Sequence, residues 1–251
     1  MSKRQRTTDE EGVCDYIGES RPNRDAKIIR FDSSITKIDE WTFNGCTMKE
    51  VVLNKGLQEI GPKGFRCCHS LENINLDSTS VKIIGQQAFQ YCESLKCIHL
   101  PSTVTEIGKE VFARVCNNLR EVVLNEGITK IENGAFFQLE SLETINVPST
   151  LIDFGDYVFC RCSKLREVKL GEGLQKIGDN AFSSCTSLER IHIPSSVIGI
   201  SVGAFADCTN LKEIVFNNGL QNIGRFAFHS CNALESVNIP STVTVIDKEA
   251  F

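Results

Sequence analysis

The sequence predicts an α/β solenoid. About ten repeats of 23 residues would stack into a long parallel β-sheet on the concave face, with short helical turns on the convex side. Three observations predict this fold. Phenylalanines recur at intervals of 22 to 24 residues, an apolar residue lies five positions before each of them, and a second apolar block follows each one except Phe251. These ladder phenylalanines are Phe43, Phe65, Phe89, Phe112, Phe136, Phe159, Phe182, Phe205, Phe228 and Phe251.

The second apolar block of each repeat predicts a β-strand. Apolar residues take its first, fourth and sixth places, as at Leu95, Ile98 and Leu100. The fourth and sixth places follow the period of two that a strand with one buried face requires. Turn residues come next, as at Pro101. We therefore expect each repeat to run from strand to turn, then to a second short extended piece and a tight helical turn that carries Ala-Phe.

The repeat resembles a known class of leucine-rich repeats, the BspA-like (bacterial surface antigen) class. The segment from Cys185 to Pro194, followed by the segment from Gly203 to Cys208, fits its pattern, and the match covers residues 26–251. Met48, Phe154 and Leu139 depart from the pattern. The resemblance implies a leucine-rich-repeat solenoid and an adhesive function, since relatives occur on bacterial and protist surfaces, where they attach to other cells or matrix proteins. Those relatives usually carry an export signal.

Two parts of the chain are distinguished by the repeat. Residues 1–25 lack it and are rich in charged and small polar groups, which predicts a flexible N-terminal segment. Residues 26–251 form the solenoid, and the chain stops within a repeat at Phe251. Since a solenoid normally ends in a unit that covers its last core layer, we expect either that the chain is a fragment without its C-terminal cap or that this end is covered by self-association or a partner.

Composition argues against several classes of partner. The formal charge of −5 and the isoelectric point near 5.5 disfavour nucleic-acid binding. No apolar stretch follows the early basic residues as in a secretory signal peptide, and no run approaches the roughly 18 apolar residues of a membrane helix. These features predict a cytoplasmic protein without membrane insertion. The family resemblance implies the cell surface as an alternative.

Most of the twelve cysteines occupy one position of the repeat, three residues after the ladder phenylalanine. A thiol at this position suits a crowded inward corner, where it can donate to the backbone of the turn. We therefore expect a column of free buried thiols, for which a reducing compartment is the natural setting. The spacing of the cysteines does not match a zinc site. The column consists of Cys46, Cys68, Cys92, Cys162, Cys185, Cys208 and Cys231, with Cys116 one position later.

The second, third and fifth places of each predicted strand block face outward and form a candidate binding surface. Charges at the second place alternate in sign from Arg120 onward, which predicts opposite charges facing each other on neighbouring strands. The fifth place holds a mixture of apolar, amide and imidazole groups that is the best candidate for recognition. Duplication of a block of two repeats would also produce this pattern. The candidate partner-binding residues are His99, Asn146, Arg166, Lys169, Arg190, His192, Lys212 and Val215.

No catalytic constellation occurs in the sequence. It contains no phosphate-binding loop, no dinucleotide fingerprint and no nucleophile elbow. We therefore expect neither an enzyme nor a bound cofactor or metal. Two functions remain open. The first is a scaffold that binds a protein partner through the concave face, and the second is a structural spacer rod without a dedicated binding face.

Overall fold

In a computed structural model, which describes residues 12–18, 22–114 and 118–251, the chain forms a parallel β-solenoid of about nine turns. Successive turns contribute short strands to two rows. The strands are β1 (Val13–Tyr16), β2 (Ile28–Phe31), β3 (Lys37–Ile38), β4 (Glu50–Val52), β5 (Glu59–Ile60), β6 (Asn73–Ile74), β7 (Ile83–Ile84), β8 (Cys97–His99), β9 (Glu106–Ile107), β10 (Glu121–Val123), β11 (Lys130–Ile131), β12 (Thr144–Asn146), β13 (Asp153–Phe154), β14 (Glu167–Lys169), β15 (Lys176–Ile177), β16 (Arg190–His192), β17 (Gly199–Ile200), β18 (Glu213–Val215), β19 (Asn222–Ile223) and β20 (Val245–Ile246).

The strands within each row are parallel to one another. Each row divides into separate sheets, which are shorter than the single long sheet that the repeat predicts. The first row contains β1, β2 and the even-numbered strands from β4 to β18. It divides into the sheets β1-β2-β4-β6, β8-β10, β12-β14 and β16-β18. The second row contains the odd-numbered strands from β3 to β19 together with β20, and it divides between β13 and β15. That break lies beside Phe154, where the other turns have a smaller isoleucine.

The leucine-rich-repeat solenoid is confirmed, but the α/β class, the helical turns and the ten repeats that the sequence predicts are not. Within the described residues the single helix is a 3₁₀ turn at Leu76–Ser78. The segments around the ladder phenylalanines instead contain left-handed residues, such as Tyr157 (φ 57°) and Arg161 (φ 62°) on either side of Phe159. The N–H of Phe159 donates to the carbonyl of Ala181 in the next turn at 2.8 Å. Because this N–H is used between turns, it cannot make the bond to the fourth preceding carbonyl that an α-helix requires.

The predicted phenylalanine ladder is confirmed. Successive rings lie 5.1 to 5.5 Å apart between centroids, with planes inclined by 4 to 18°. The nine rings from Phe43 to Phe228 are fully buried, whereas Phe251 is 48% exposed. The rings therefore form one continuous stack through the interior of the solenoid.

The cysteine column is also present. The thiol of Cys185 donates to the carbonyl of Phe159, the ladder residue of the preceding turn, at 3.2 Å. Five other thiols of the column make the same bond, at 3.1 to 3.3 Å. All the cysteines in the described part of the chain are free, and Cys116 lies outside it. The thiol is a second donor to a carbonyl that already accepts a backbone N–H, as the carbonyl of Phe159 does from Cys162 at 3.2 Å.

The N-terminal segment differs in part from the prediction. Residues 13–16 were expected to be flexible, but they form β1, which pairs in parallel with β2 and buries Cys14. Val13, Cys14 and Tyr16 are buried on this strand, and the Tyr16 ring packs against Phe31 and Phe43, which joins the segment to the first row. Residues 1–11 and 19–21, which belong to the same predicted segment, lie outside the described residues.

Candidate binding face

The outward side chains of the first row form a continuous surface, which we call the strand face. It comprises the exposed residues of strands β4 to β18 in the first row and the residue immediately before each strand. On β16, for example, Arg190 and His192 are exposed and Ile191 between them is buried. All eight predicted binding residues lie on this face: seven are exposed and Val215 is half-buried. They belong to β8, β12, β14, β16 and β18 or directly precede one of these strands.

Most charges of the strand face are paired between neighbouring strands. Arg166 Nη2 lies 2.8 Å from Glu143 Oε2, and Lys212 Nζ lies 2.9 Å from Glu189 Oε2. These contacts confirm the alternation that the second place of the repeat predicts. Since the side chains are largely exposed, each pair stabilises the fold by at most about 1 kcal/mol. Their larger effect is to neutralise the face and favour one register of stacking.

Residues at the third place of the repeat block form a further ion pair between strands. Arg190 Nε lies 2.8 Å from Glu213 Oε2, on the strand that pairs with its own. His99 Nε2 lies 3.2 Å from Glu121 Oε1. The polar groups of these two candidate residues are therefore already engaged within the protein.

The fifth place of four consecutive first-row strands forms a distinct strip. We call Asn146, Lys169, His192 and Val215 the central strip. Asn146 is in register with Lys169, and His192 is in register with Val215. At the usual strand spacing the strip is about 14 Å long. Within the described residues, the side chains of Asn146 and His192 have no hydrogen-bond partner, and Lys169 has only a contact of 3.7 Å with Glu167 on its own strand.

Recesses occur elsewhere on the molecule, away from all the predicted binding residues. Three recesses of about 450, 360 and 300 Å³ are lined by second-row and turn residues. The first lies beside Gly199 and the second beside Gly134. A glycine that interrupts a column of larger side chains is the sequence signal that could have indicated both recesses.

The structure offers no metal centre among the residues it describes. In that part of the chain no group of three or more His, Cys, Asp or Glu side chains is placed to hold a metal ion. Nor does any helix there have the length and apolar character needed to cross a membrane.

Comparison with known proteins identifies the repeat. The family model for the BspA type leucine rich repeat region matches residues 23–141 and 129–251. A leucine-rich repeat protein from Bacteroides ovatus superposes with a TM-score of 0.66 at 26% identity, over 89% of this chain and 73% of that one. A leucine rich cell surface protein from Faecalibacterium prausnitzii superposes with a TM-score of 0.58 at 24% identity, over 100% of this chain and 86% of that one.

A leucine-rich repeat protein from Eubacterium ventriosum gives a TM-score of 0.59 at 19% identity, over 97% of this chain and 91% of that one, which shows the fold alone. No curated protein sequence matches the chain. The family model spans nearly all of the described solenoid and agrees with its stacked short strands. The chain therefore belongs to the BspA type leucine rich repeat family.

Proposed function

We propose that this protein is a non-enzymatic interaction module that binds a protein partner through the strand face, with the central strip at the middle of the contact. The observation that carries the proposal is the unused hydrogen-bonding capacity of Asn146 and His192 among neighbours whose charges are paired. Repeat solenoids use extended surfaces of this kind to bind other proteins.

The chemistry of the central strip suits a protein partner. It presents an amide, an ammonium, an imidazole and an apolar side chain along about 14 Å of sheet. A partner segment lying along the strip could accept from Lys169 and Asn146 and cover Val215. The paired charges on either side would form a rim that contributes more to orientation than to affinity.

We further propose a cell-surface setting in preference to a cytoplasmic one. The neighbour from Faecalibacterium prausnitzii is a leucine rich cell surface protein, and adhesion at a surface is one form of protein binding. The thiol column does not require a reducing compartment, because Cys162, Cys185 and Cys208 are fully buried and burial raises the pKa of each thiol. A buried thiol with a raised pKa is poorly reactive toward oxidants.

A spacer rod is the second candidate. The cross-strand pairs would keep the stack in register and soluble without any ligand. In that case the central strip would be a by-product of repeat duplication, and no partner would depend on it.

Affinity capture with matched charge variants separates the two functions. The strip variant carries Lys169→Glu and His192→Glu. The control carries Lys176→Glu and Gln221→Glu, which make the same kinds of change at exposed second-row positions. Partners captured by the parent and the control but lost by the strip variant would support binding through the strand face. If both variants capture the same proteins as the parent, the spacer function is the correct one.

A further inference from the structure

A recess of about 360 Å³ opens at Gly134 on the surface formed by the turn segments, which we call the turn face. Gly134 belongs to the column of left-handed residues two positions before each ladder phenylalanine, between Glu110 and Tyr157. Tyr157 adopts nearly the same φ (57°) as Gly134 (64°), so the backbone of this column accepts a side chain. A Cβ at Gly134 would meet no atom closer than 3.4 Å. The missing side chain therefore leaves open space that the neighbouring residues do not fill.

Two aromatic side chains line the recess. Tyr157 is 46% exposed, so its ring is accessible from solvent. Phe137 is half-buried, and the guanidinium of Arg161 lies 5.9 Å from the centroid of its ring. The two rings give the recess apolar surface on which the flat face of a ligand can pack.

Both cationic side chains of the recess are free to donate hydrogen bonds. Lys109 and Arg114 line it, and neither side chain has an ion-pair or hydrogen-bond partner among the described residues. The acidic lining residue Glu110 is held from the preceding turn, because Gln87 Nε2 and Gln90 Nε2 donate to its Oε2 at 2.8 and 3.2 Å.

The amide of Asn133 adds a further donor. Its Oδ1 accepts the backbone N–H of Asp156 at 3.0 Å, which leaves the NH₂ group available to a ligand. Two cations and an amide donor in the lining of one recess favour a ligand with a carboxylate and additional acceptors.

The backbone around the recess is already bonded between turns. The N–H of Glu110 donates to the carbonyl of Asn133 at 3.1 Å, and the N–H of Gly134 donates to the carbonyl of Asp156 at 2.8 Å. An extended peptide therefore finds no open strand edge to which it could add. The ligand must be held by side chains alone, in the space left by one missing side chain, and this favours a compact ring.

We infer that the recess binds a carboxylated sugar residue, such as a uronic or sialic acid. Its carboxylate would lie between Lys109 and Arg114, and the C–H face of its ring would pack on Tyr157. Hydroxyl groups of the sugar would accept from the Asn133 amide. This site is separate from the strand face, so the two can be tested independently.

Saturation-transfer NMR with free glucuronic acid and free N-acetylneuraminic acid tests the inference, with glucose as the neutral probe. The parent should transfer saturation to at least one acidic sugar and not to glucose. The Gly134→Asn variant fills the recess with a residue that tolerates left-handed backbone and that occupies the same column at Asn180. We expect it to reduce the signal at least tenfold. Gly203→Asn places the same residue in the same column outside the recess, where its Cβ would displace the side chain of Asn180, and it should leave the signal unchanged.

Two further variants keep the test decisive if Gly134→Asn lowers the melting temperature. Tyr157→Asn removes the aromatic platform, and Arg114→Gln removes one cation while keeping donors. Each variant should reduce the saturation-transfer signal of the acidic sugar at least tenfold. The inference is overturned if the parent transfers no saturation to either acidic sugar, or if the transfer survives in all three variants. Binding of a short acidic peptide at the recess in place of the sugars would overturn it in favour of a protein ligand.

Discussion

Each ladder phenylalanine contributes to stability through two neighbours as well as through its own burial. Phe159 is fully buried, and its ring lies 5.2 Å from Phe136 and 5.5 Å from Phe182. Full burial of such a ring stabilises the fold by roughly 1.5–3 kcal/mol. Loss of the ring would also leave a void between two stacked neighbours, because a packed interior closes only partly around a deletion.

Phe159→Ala should therefore lower the free energy of unfolding by about 3–5 kcal/mol. Urea unfolding followed by circular dichroism measures the change. Phe251→Ala is the matched control, since Phe251 is 48% exposed and should lose less than about 1 kcal/mol. Equal losses for the two variants would mean that burial between stacked rings adds nothing to stability.

The thiol column should make stability depend on pH in the alkaline range. Burial raises the pKa of Cys46 to about 12 and that of Cys231 to about 11. Unfolded thiols ionise near their ordinary pKa of about 8.5. Above that pH the unfolded state binds fewer protons than the folded state, so the free energy of unfolding falls as the pH rises. This contribution is complete below about pH 8.5 and is lost progressively toward pH 12.

Cys185→Ala tests one member of the column, because burial raises the pKa of Cys185 as well. Between about pH 7 and pH 10 the parent should lose about 2 kcal/mol more stability than the variant, since pH 10 lies about 1.5 units above the pKa of an unfolded thiol and each unit corresponds to about 1.4 kcal/mol. Urea unfolding under reducing conditions at both pH values provides the measurement. Titration of lysines and tyrosines is common to both proteins and cancels. Parallel pH dependences would show that the thiol ionises in the folded state.

At the scale of the element, the turn segments differ most from regular secondary structure, because they contain many residues with positive φ. Sixteen described residues other than glycine have positive φ, and all of them lie two positions before or after a ladder phenylalanine. The left-handed conformation destabilises a residue that has a side chain by roughly 1–2 kcal/mol relative to the right-handed one. The hydrogen bonds between turns offset this cost, as where the N–H of Ser184 donates to the carbonyl of Ala206 at 2.8 Å.

Substitution of Ser184 (φ 60°) measures the cost of this backbone. Ser184→Gly should stabilise the protein by up to about 1 kcal/mol, because glycine reaches positive φ without steric penalty. Ser184→Val should destabilise it by at least about 1 kcal/mol, because a β-branched side chain suits this conformation poorly. Thermal unfolding monitored by circular dichroism would report both changes.

Ser187→Gly is the control for this pair, since Ser187 is not among the left-handed residues. It should destabilise the protein by roughly 0.5–1 kcal/mol through the greater freedom of glycine in the unfolded chain. A loss of stability in Ser184→Gly equal to that of the control would refute the proposed strain.

The close approach of successive turns also explains a glycine of the repeat. A Cβ at Gly178 would collide with the backbone carbonyl oxygen of Gly155 in the preceding turn. Glycine at this position is therefore needed for spacing between turns, where a side chain would push two layers of the stack apart.

At the scale of the whole molecule, each turn is supported by its two neighbours. Within the described residues, the turn that holds Ile246 (the last turn) contacts another turn on one side only, and Ile246 is 48% exposed while Ile223 in the turn before is fully buried. In a stacked array, stability is approximately a sum of terms for each repeat and for each interface between repeats. Local opening should therefore be easiest in the last turn.

Hydrogen exchange can compare equivalent backbone hydrogen bonds in a central turn and in the last turn. The N–H of Gly155 donates to Ile131, and the equivalent N–H of Asp247 donates to Ile223, both at 2.9 Å. We expect the Asp247 amide to exchange at least about tenfold faster, because opening the last turn breaks one interface rather than two. Similar protection factors by NMR would indicate that the molecule opens only as a whole.

Much of the architecture could be predicted from the sequence because the repeat reports local burial directly. The position of each ladder phenylalanine, the thiol column and the pairing of Arg166 with Glu143 follow from periodicity alone. The turn segments could not be predicted, because Ala-Phe after a glycine suits a helical turn and a stacked turn equally. Gly134 marks a gap in its column of the repeat, but the lining of the recess could not be predicted, because it depends on which side chains are neighbours in space.

The sequence by itself determined the repeat, the inward residues and the charge alternation, since each depends on spacing within a single turn or between adjacent turns. The tertiary structure decided the rest: that the turns bond to one another in place of forming helices, that the strand rows divide into separate sheets, and that Val13–Tyr16 joins the first row. The physical reason is that these features depend on which N–H finds which carbonyl across the stack, and that choice is made between turns, where a linear pattern carries little information.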